Sequence, residues 1–385
     1  YGLCYSYNNN NLKRFYLNRL LRIWPIFPVA LVARYFVNSI PLKEAFERFI
    51  LNEHSFNNLL AIFSEHSVIC LNMTDADIDK EWQTVSLDGQ RGGSKIRKFC
   101  TGHSMRRPQS AHNDFAKFLS DKNKLLDYSR SIFVLNISPE DAESLRNKFG
   151  LVILSKDNLS DDIFQFHIKD SVSKGELKDG CTDGWDSFFN LRKQDWLPSN
   201  VLVFSDEYLF KNEVRGVNLG VRNLKSIIPH LLPQKLDTEF QILVVSPIPK
   251  NNRAKAQSIS DEMTKFVHDL PLPYSCKITF VFTNAIHTRK ALSNYYVMTC
   301  DKGFCVYLDS PKNQVHDTNF VDITSNFHSA ADSAGTNGYD DTTMCLNDLK
   351  KYCKEAQEQA RAGITTVLIT GDCGPNFEIY NRLFE

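Results

Sequence analysis

The feature that most limits what this chain can fold into is a strand–helix–strand signal between residues 131 and 155. Ser131 to Ile137 is a mostly apolar run, and Leu151-Val152-Ile153-Leu154-Ser155 is another. Between them, Ser138 is a good helix N-cap, Pro139 fits the first helical position, Asp141 stands three residues after the cap, and Gly150 is a good stop. The flanking runs are continuous rather than alternating. That is the pattern of strands covered on both faces, as in a parallel sheet.

The same rhythm returns later. Strands are predicted at 201–204, 240–245, 277–282 and 364–369. Helices are predicted at 219–232, 252–270 and 346–362, ending near Pro233, Pro271 and Gly363. Residues 294–299 and 304–308 read as a hairpin around Asp301-Lys302-Gly303, and 317–343 as a long acidic loop. Towards the N-terminus, residues 41–82 and 113–126 read as helical. A basic connector spans 88–110 and a polar junction spans 156–195. The expectation is an α/β protein with two α/β units and largely parallel or mixed sheets. Its divisions are 1–87, a basic and helical segment; 88–195, the first α/β unit and junction; and 196–385, the second α/β domain.

Composition excludes several classes. Of 385 residues, 42% are hydrophobic and 12% aromatic, enough for a buried core, so a disordered or collagen-like chain is out. Lys+Arg and Asp+Glu are 45 each, so the chain as a whole does not read as a basic nucleic-acid binder. Ten cysteines without a CxxC pair read as reduced thiols that pack as small hydrophobes, and point to a cytoplasmic location. The apolar run from Ile23 to Ala33 contains Pro25 and Pro28 and falls well short of the roughly 20 residues a membrane span needs. Residues 1–40 carry five cations and no acid, so a peripheral membrane contact through them stays open.

Few segments carry chemistry. Cys100 with His103 and His112, and His66 with Cys70, lack the two close ligand pairs of a structural zinc site, so no metal is expected. Gly371-Asp372-Cys373-Gly374 lacks the Lys and Ser/Thr of a phosphate loop, and no G-x-S-x-G elbow occurs. No cofactor is called for. The most informative stretch is His287-Thr288-Arg289-Lys290-Ala291-Leu292-Ser293-Asn294, of the form H-x-R-x-x-x-x-N, placed after a strong strand. Ser205-Asp206-Glu207-Tyr208-Leu209-Phe210-Lys211-Asn212 has the same spacing 82 residues earlier, with Ser at the first position and Glu at the third.

The His287 segment resembles a degenerate form of the H-x-K-x-x-x-x-D motif of the phospholipase D-like superfamily. The resemblance covers roughly residues 196–385 and implies a phospholipase D-like second domain. In that superfamily two such motifs meet. One His attacks phosphorus, the other protonates the leaving group, and the cations hold phosphate oxygens. By resemblance His287 would be the nucleophile, Arg289 the clamp, Asn294 the group that orients the imidazole, and Lys290 a further anion contact. Ser205 and Glu207 would mark a dead first half-site. This implies a phosphodiester-binding module of the kind found in bacterial defence or regulatory effectors. Its ligand would be nucleic acid or a phospholipid headgroup. The alternative is an active phosphodiesterase or nuclease in which a homodimer brings two copies of His287 together.

The basic stretch from Arg91 to Arg107 holds six cations and no acid, and Arg97, Lys98, Arg106 and Arg107 are its candidate backbone contacts. If they track a polyanion, changing these four to Ala should weaken binding without regard to base sequence. It should also flatten the salt dependence, by roughly one unit of log–log slope per lost phosphate contact. A salt titration on one oligonucleotide would check this, and an unchanged slope would reduce the stretch to a linker.

Overall fold

In the computed structural model of the chain, the described residues are 67–70, 125–135, 137–155, 167–172, 184–191, 198–286, 288–301, 303–309, 314–315, 319–326 and 338–384. The readings of residues 1–40, of the helix at 113–124 and of the basic connector with Arg97, Lys98, Arg106 and Arg107 lie outside these residues.

The described residues fall into two compact units. The first holds β1 (Ser67–Cys70), β2 (Ile132–Leu135) and β3 (Ile153–Ser155), all parallel in the order β1-β2-β3. Helix α1 (Pro139–Phe149) connects β2 to β3. It starts as its capping pattern predicts: the Ser138 hydroxyl accepts the Asp141 N–H at 3.1 Å. At its end Gly150 has φ +63°. Ser67–Cys70 falls within the segment read as helical but is a strand, because β-branched Val68 and Ile69 sit in a run short enough to pair with β2.

The second unit is built on an eight-stranded mixed sheet. Its strands are β4 (His167–Val172), β5 (Val201–Asp206), β8 (Phe240–Ser246), β9 (Cys276–Phe282), β10 (Arg289–Ser293), β11 (Tyr296–Cys300), β14 (Asn319–Ser325) and β15 (Leu368–Gly371). Two short pairs lie apart from it: β6 (Glu213–Val214) with β7 (Val217–Asn218), and β12 (Tyr307–Asp309) with β13 (Gln314–Val315). The spatial order is β15-β9-β8-β5-β10-β11-β14-β4. Strands β5, β8 and β9 are parallel, and every other pairing is antiparallel.

Helices α2 (Trp185–Leu191), α3 (Leu219–Leu231), α4 (Arg253–His268) and α5 (Gly338–Arg361) pack on this sheet. Strand alternation divides its core. Val201, Val203, Leu243, Val245 and Val281 pack with Leu346, Leu349, Cys353 and Ala356 of α5. Their neighbours Leu202, Phe204, Ile242, Val244, Phe280 and Phe282 face the other side. There Ser260 of α4 reaches Thr370 of β15, and α3 lies against α2 and α4. Burial on both faces explains why the three parallel strands read as unbroken apolar runs.

Three expectations are corrected. The hairpin is β10–β11, turning at Asn294-Tyr295, and β11 pairs with β14 rather than with 304–308. The segment read as an acidic loop contains β14 and the first turn of α5. Strand β4, within the segment read as a junction, is an edge of the large sheet. In each case one face of an antiparallel element meets solvent or polar neighbours, so charged residues interrupt the apolar run.

Asn218 caps α3 by accepting from the Gly220 and Val221 N–H groups, while its own amide donates to the Phe210 carbonyl at 3.0 Å. That ties the start of α3 against the loop after β5. A Cβ on Gly220 would lie 2.0 Å from the Leu209 carbonyl oxygen. Gly to Ala normally favours a helix, by about 1 kcal/mol. Here Gly220→Ala should instead destabilise the protein by roughly 1–3 kcal/mol, because backbone must move. Denaturant unfolding of the variant checks this, and a stabilised variant would contradict the packing.

Candidate functional site

Between β9 and β10 the chain crosses two strands of the sheet. It leaves β9 at Phe282, passes β8 and β5, and enters β10 on the far side of β5. Residues 283–286 and 288 therefore lie past the carboxyl ends of the parallel strands, where open α/β sheets place their ligands. The Thr283 N–H donates to the Ser246 carbonyl at the end of β8, at 2.9 Å. Ile286 is buried in the core on the α5 face. The Thr288 hydroxyl bonds the Ser205 hydroxyl at the end of β5. His287 lies outside the described residues, between these two anchored neighbours.

The two eight-residue segments meet here. Arg289 stands opposite Asp206 and Lys290 opposite Ser205 in the β5–β10 ladder. The Arg289 guanidinium is held on three sides. Its Nη1 donates to the Asp301 carbonyl at 2.8 Å, and its Nη2 lies 3.3 Å from Glu207 Oε1. Its Cζ sits 4.6 Å from the centroid of the Tyr208 ring, in cation–π geometry. Lys211 Nζ is 5.0 Å from the same ring. Tyr208 is half-exposed, so a cation-flanked aromatic stands at this rim.

Beneath Arg289, Asp206 is fully buried and accepts the N–H groups of Tyr208 at 2.7 Å and Phe304 at 2.9 Å. Burial pushes its carboxyl above the usual carboxylate range, and the two N–H donors and Arg289 pull it back. Asp206 thus ties the loop after β5 to the loop after β11. It was not singled out by sequence reasoning, because one Asp after an apolar strand carries no distinctive spacing.

The structure separates residues that the sequence grouped. Lys290 points to the α5 side, close enough to Cys345 for its charge to act on that thiol, whereas Arg289 shares the opposite side with Asp206. The two adjacent cations do not form one clamp. Asn294 sits at the other end of β10, fully buried. Its amide nitrogen donates to the Ser129 carbonyl at 2.7 Å and to Asn200 Oδ1 at 3.0 Å, and its oxygen accepts the Asn200 N–H at 2.9 Å. Every polar atom of that side chain is spent in the core, so it orients no group at the Arg289 rim.

Four of the described thiols are shut into the core. Cys276, Cys300, Cys345 and Cys353 are free and buried, and burial pushes Cys276 and Cys353 up to about 12. Among the described residues, no group of three or more His, Cys, Asp or Glu side chains is placed to hold a metal ion, and no helix is long and apolar enough to cross a membrane. At the opposite edge of the sheet, an open polar groove of about 540 Å³ runs between α4 and β15. His268 Nε2 lies there 2.9 Å from Asp372 Oδ2, which also accepts the Ile278 N–H at 2.8 Å. That carboxylate joins the turn after β15 to β9.

No protein-family model matches the chain, and no curated protein matches it.

Replacing Asn294 with Ala orphans the Ser129 carbonyl, the Asn200 N–H and Asn200 Oδ1 together. At about 1–3 kcal/mol for each buried group left unsatisfied, with partial relaxation, Asn294→Ala should cost roughly 2–5 kcal/mol of stability. Chemical denaturation measures it. Unchanged stability would return Asn294 to the list of candidate site residues.

Proposed function

We propose that the eight-stranded unit is a phosphodiester- and anion-binding module, with a degenerate phospholipase D-like site at the carboxyl ends of its parallel strands. One observation carries this reading. The two like-spaced segments, which hold Glu207 and Arg289 82 residues apart in the chain, lie side by side at that edge. Two motif copies meeting at one site is what the resemblance implies, and the edge is where this class of sheet binds ligands. Arg289 supplies a planar, permanently charged fork suited to phosphate oxygens. Ser205 replaces the partner His and is bonded to Thr288, so no second imidazole stands on β5 to take or give a proton. The module therefore binds rather than turns over. A defence or regulatory effector role fits such a module, with nucleic acid or a phospholipid headgroup as the source of the anion.

The test is binding of a fluorescent single-stranded oligonucleotide and of anionic vesicles to the full chain. Arg289→Ala should weaken binding by about 1.5–3 kcal/mol, the loss of a charge-assisted contact, or roughly 10- to 150-fold. His287→Ala should leave affinity nearly unchanged. Release of product from a chromogenic phosphodiester that disappears in His287→Ala would instead establish the active enzyme, since losing a covalent nucleophile costs several orders of magnitude. Full affinity in Arg289→Ala would remove the proposal.

A further inference from the structure

Resting on the anion-binding reading of this edge, we infer that three loops along it form a docking surface for an anionic lipid bilayer. That makes a lipid headgroup the source of the anion. The first loop is the β6–β7 hairpin after β5, and the second is the turn at 249–252 after β8. The third is 362–367, which enters β15 opposite the end of β9, where Leu368 pairs with Phe282. Side-chain contacts join the three. Glu213 of the hairpin is ion-paired with Lys255 in the first turn of α4. Arg253, the first residue of α4, donates through Nη1 to the Thr365 carbonyl at 3.3 Å and the Val367 carbonyl at 2.6 Å. The loops therefore make one connected strip at the carboxyl ends of the parallel strands.

The strip is cationic and apolar at once. Arg215, Lys250 and Arg253 are exposed. So are Val217 and Ile364, each at 43%. Glu213 is the one acid within 213–217, 250–255 and 362–367, and Lys255 pairs with it. Two of the cations stand on left-handed backbone. Arg215, beside Gly216 at the hairpin tip, has φ 51°, and Lys250 has φ 50°. Such backbone disfavours residues with a Cβ, and Gly, Asn or Asp is the usual occupant of a turn like the hairpin's. The chain holds long cations there instead, in the loops that follow β5 and β8. The mixture of groups selects the partner. A nucleic acid calls for cations along its backbone and aromatic rings under its bases, so exposed aliphatic side chains add nothing to it. An anionic bilayer uses both kinds of group. Its surface charge draws Lys and Arg, and apolar side chains enter the interface.

The test uses the full chain and vesicles of phosphatidylcholine with and without phosphatidylserine. The unmodified chain should bind only the vesicles that contain phosphatidylserine. Arg215→Asn with Lys250→Asn removes two charges and puts a residue that tolerates left-handed backbone at both positions, so the fold is kept. This pair should weaken vesicle binding roughly 10- to 30-fold. Val217→Ser with Ile364→Ser leaves the charge alone and should weaken it roughly 10-fold. Thermal unfolding of both double variants confirms that they fold. Two further probes separate this inference from the reading beneath it. Glycerophosphoglycerol, a headgroup diester without acyl chains, should bind both double variants as it binds the unmodified chain, and should bind Arg289→Ala less. No binding of vesicles by the unmodified chain, or equal binding by either folded double variant, would overturn the bilayer surface. So would loss of oligonucleotide affinity in the charge variant with vesicle binding unchanged in the aliphatic one, which is the outcome for a nucleic-acid surface. Glycerophosphoglycerol and oligonucleotide binding that both survive Arg289→Ala unchanged would instead overturn the Arg289 reading.

Discussion

The second unit depends on one buried amide pair, Asn200 with Asn294. Asn200 precedes β5 and Asn294 follows β10, so the pair locks the end of the β5–β10 ladder farthest from Arg289. From there the network spreads. The Asn200 amide donates to the Phe149 carbonyl, Asn294 holds Ser129, and the Asn326 amide donates to the Asn294 carbonyl after β14. Arg382 donates to the Asn200 carbonyl at 3.1 Å and accepts Ser129 through its own carbonyl at 2.8 Å. Segments far apart in sequence, from residue 129 to residue 382, converge on two side chains. Buried polar groups are costly when unpaired, so a fully satisfied network of this kind specifies one arrangement of its strands.

That lock has a consequence at the other end of the same strands. With β5 and β10 fixed in register, Arg289 has to face Asp206, and Glu207 has to arrive beside the guanidinium. The rim is nearly neutral, as the whole chain is, with Arg289 and Lys211 set against Glu207 and the buried Asp206.

The parallel core was legible in the sequence because strands covered on both faces must be apolar at every position, and 201–204, 240–245 and 277–282 meet that condition. The N-cap at Ser138 and the stop at Gly150 were legible because each solves a local backbone problem that few residue types solve. The antiparallel half was not. Arg289-Lys290 opens β10, and Asp322 interrupts β14 on its less buried face, so neither run looks like a strand until its partners are known. Asn294 misled for a related reason. Its spacing from His287 matched a motif position, but spacing along a chain does not say which end of a strand a residue occupies. Only the ladder, which puts Asn294 beyond Ser293 opposite Leu202, places it next to Asn200.

Strand geometry also decides how the cations at this edge are placed. Two cations adjacent in sequence, Arg289 and Lys290, lie on opposite faces because successive side chains in a strand alternate. A clamp with two prongs on one face cannot come from i and i+1 of β10. Its second prong has to come from across the ladder or from a loop. Across the ladder, β5 ends in Asp206 and Glu207 follows it, both acids, and the nearby loop cation is Lys211, over Tyr208. The aromatic ring is therefore more than a packing surface, because it lies against both Arg289 and Lys211. Removing that ring would loosen Arg289 and Lys211 together, which makes Tyr208 the residue on which the shape of the rim rests.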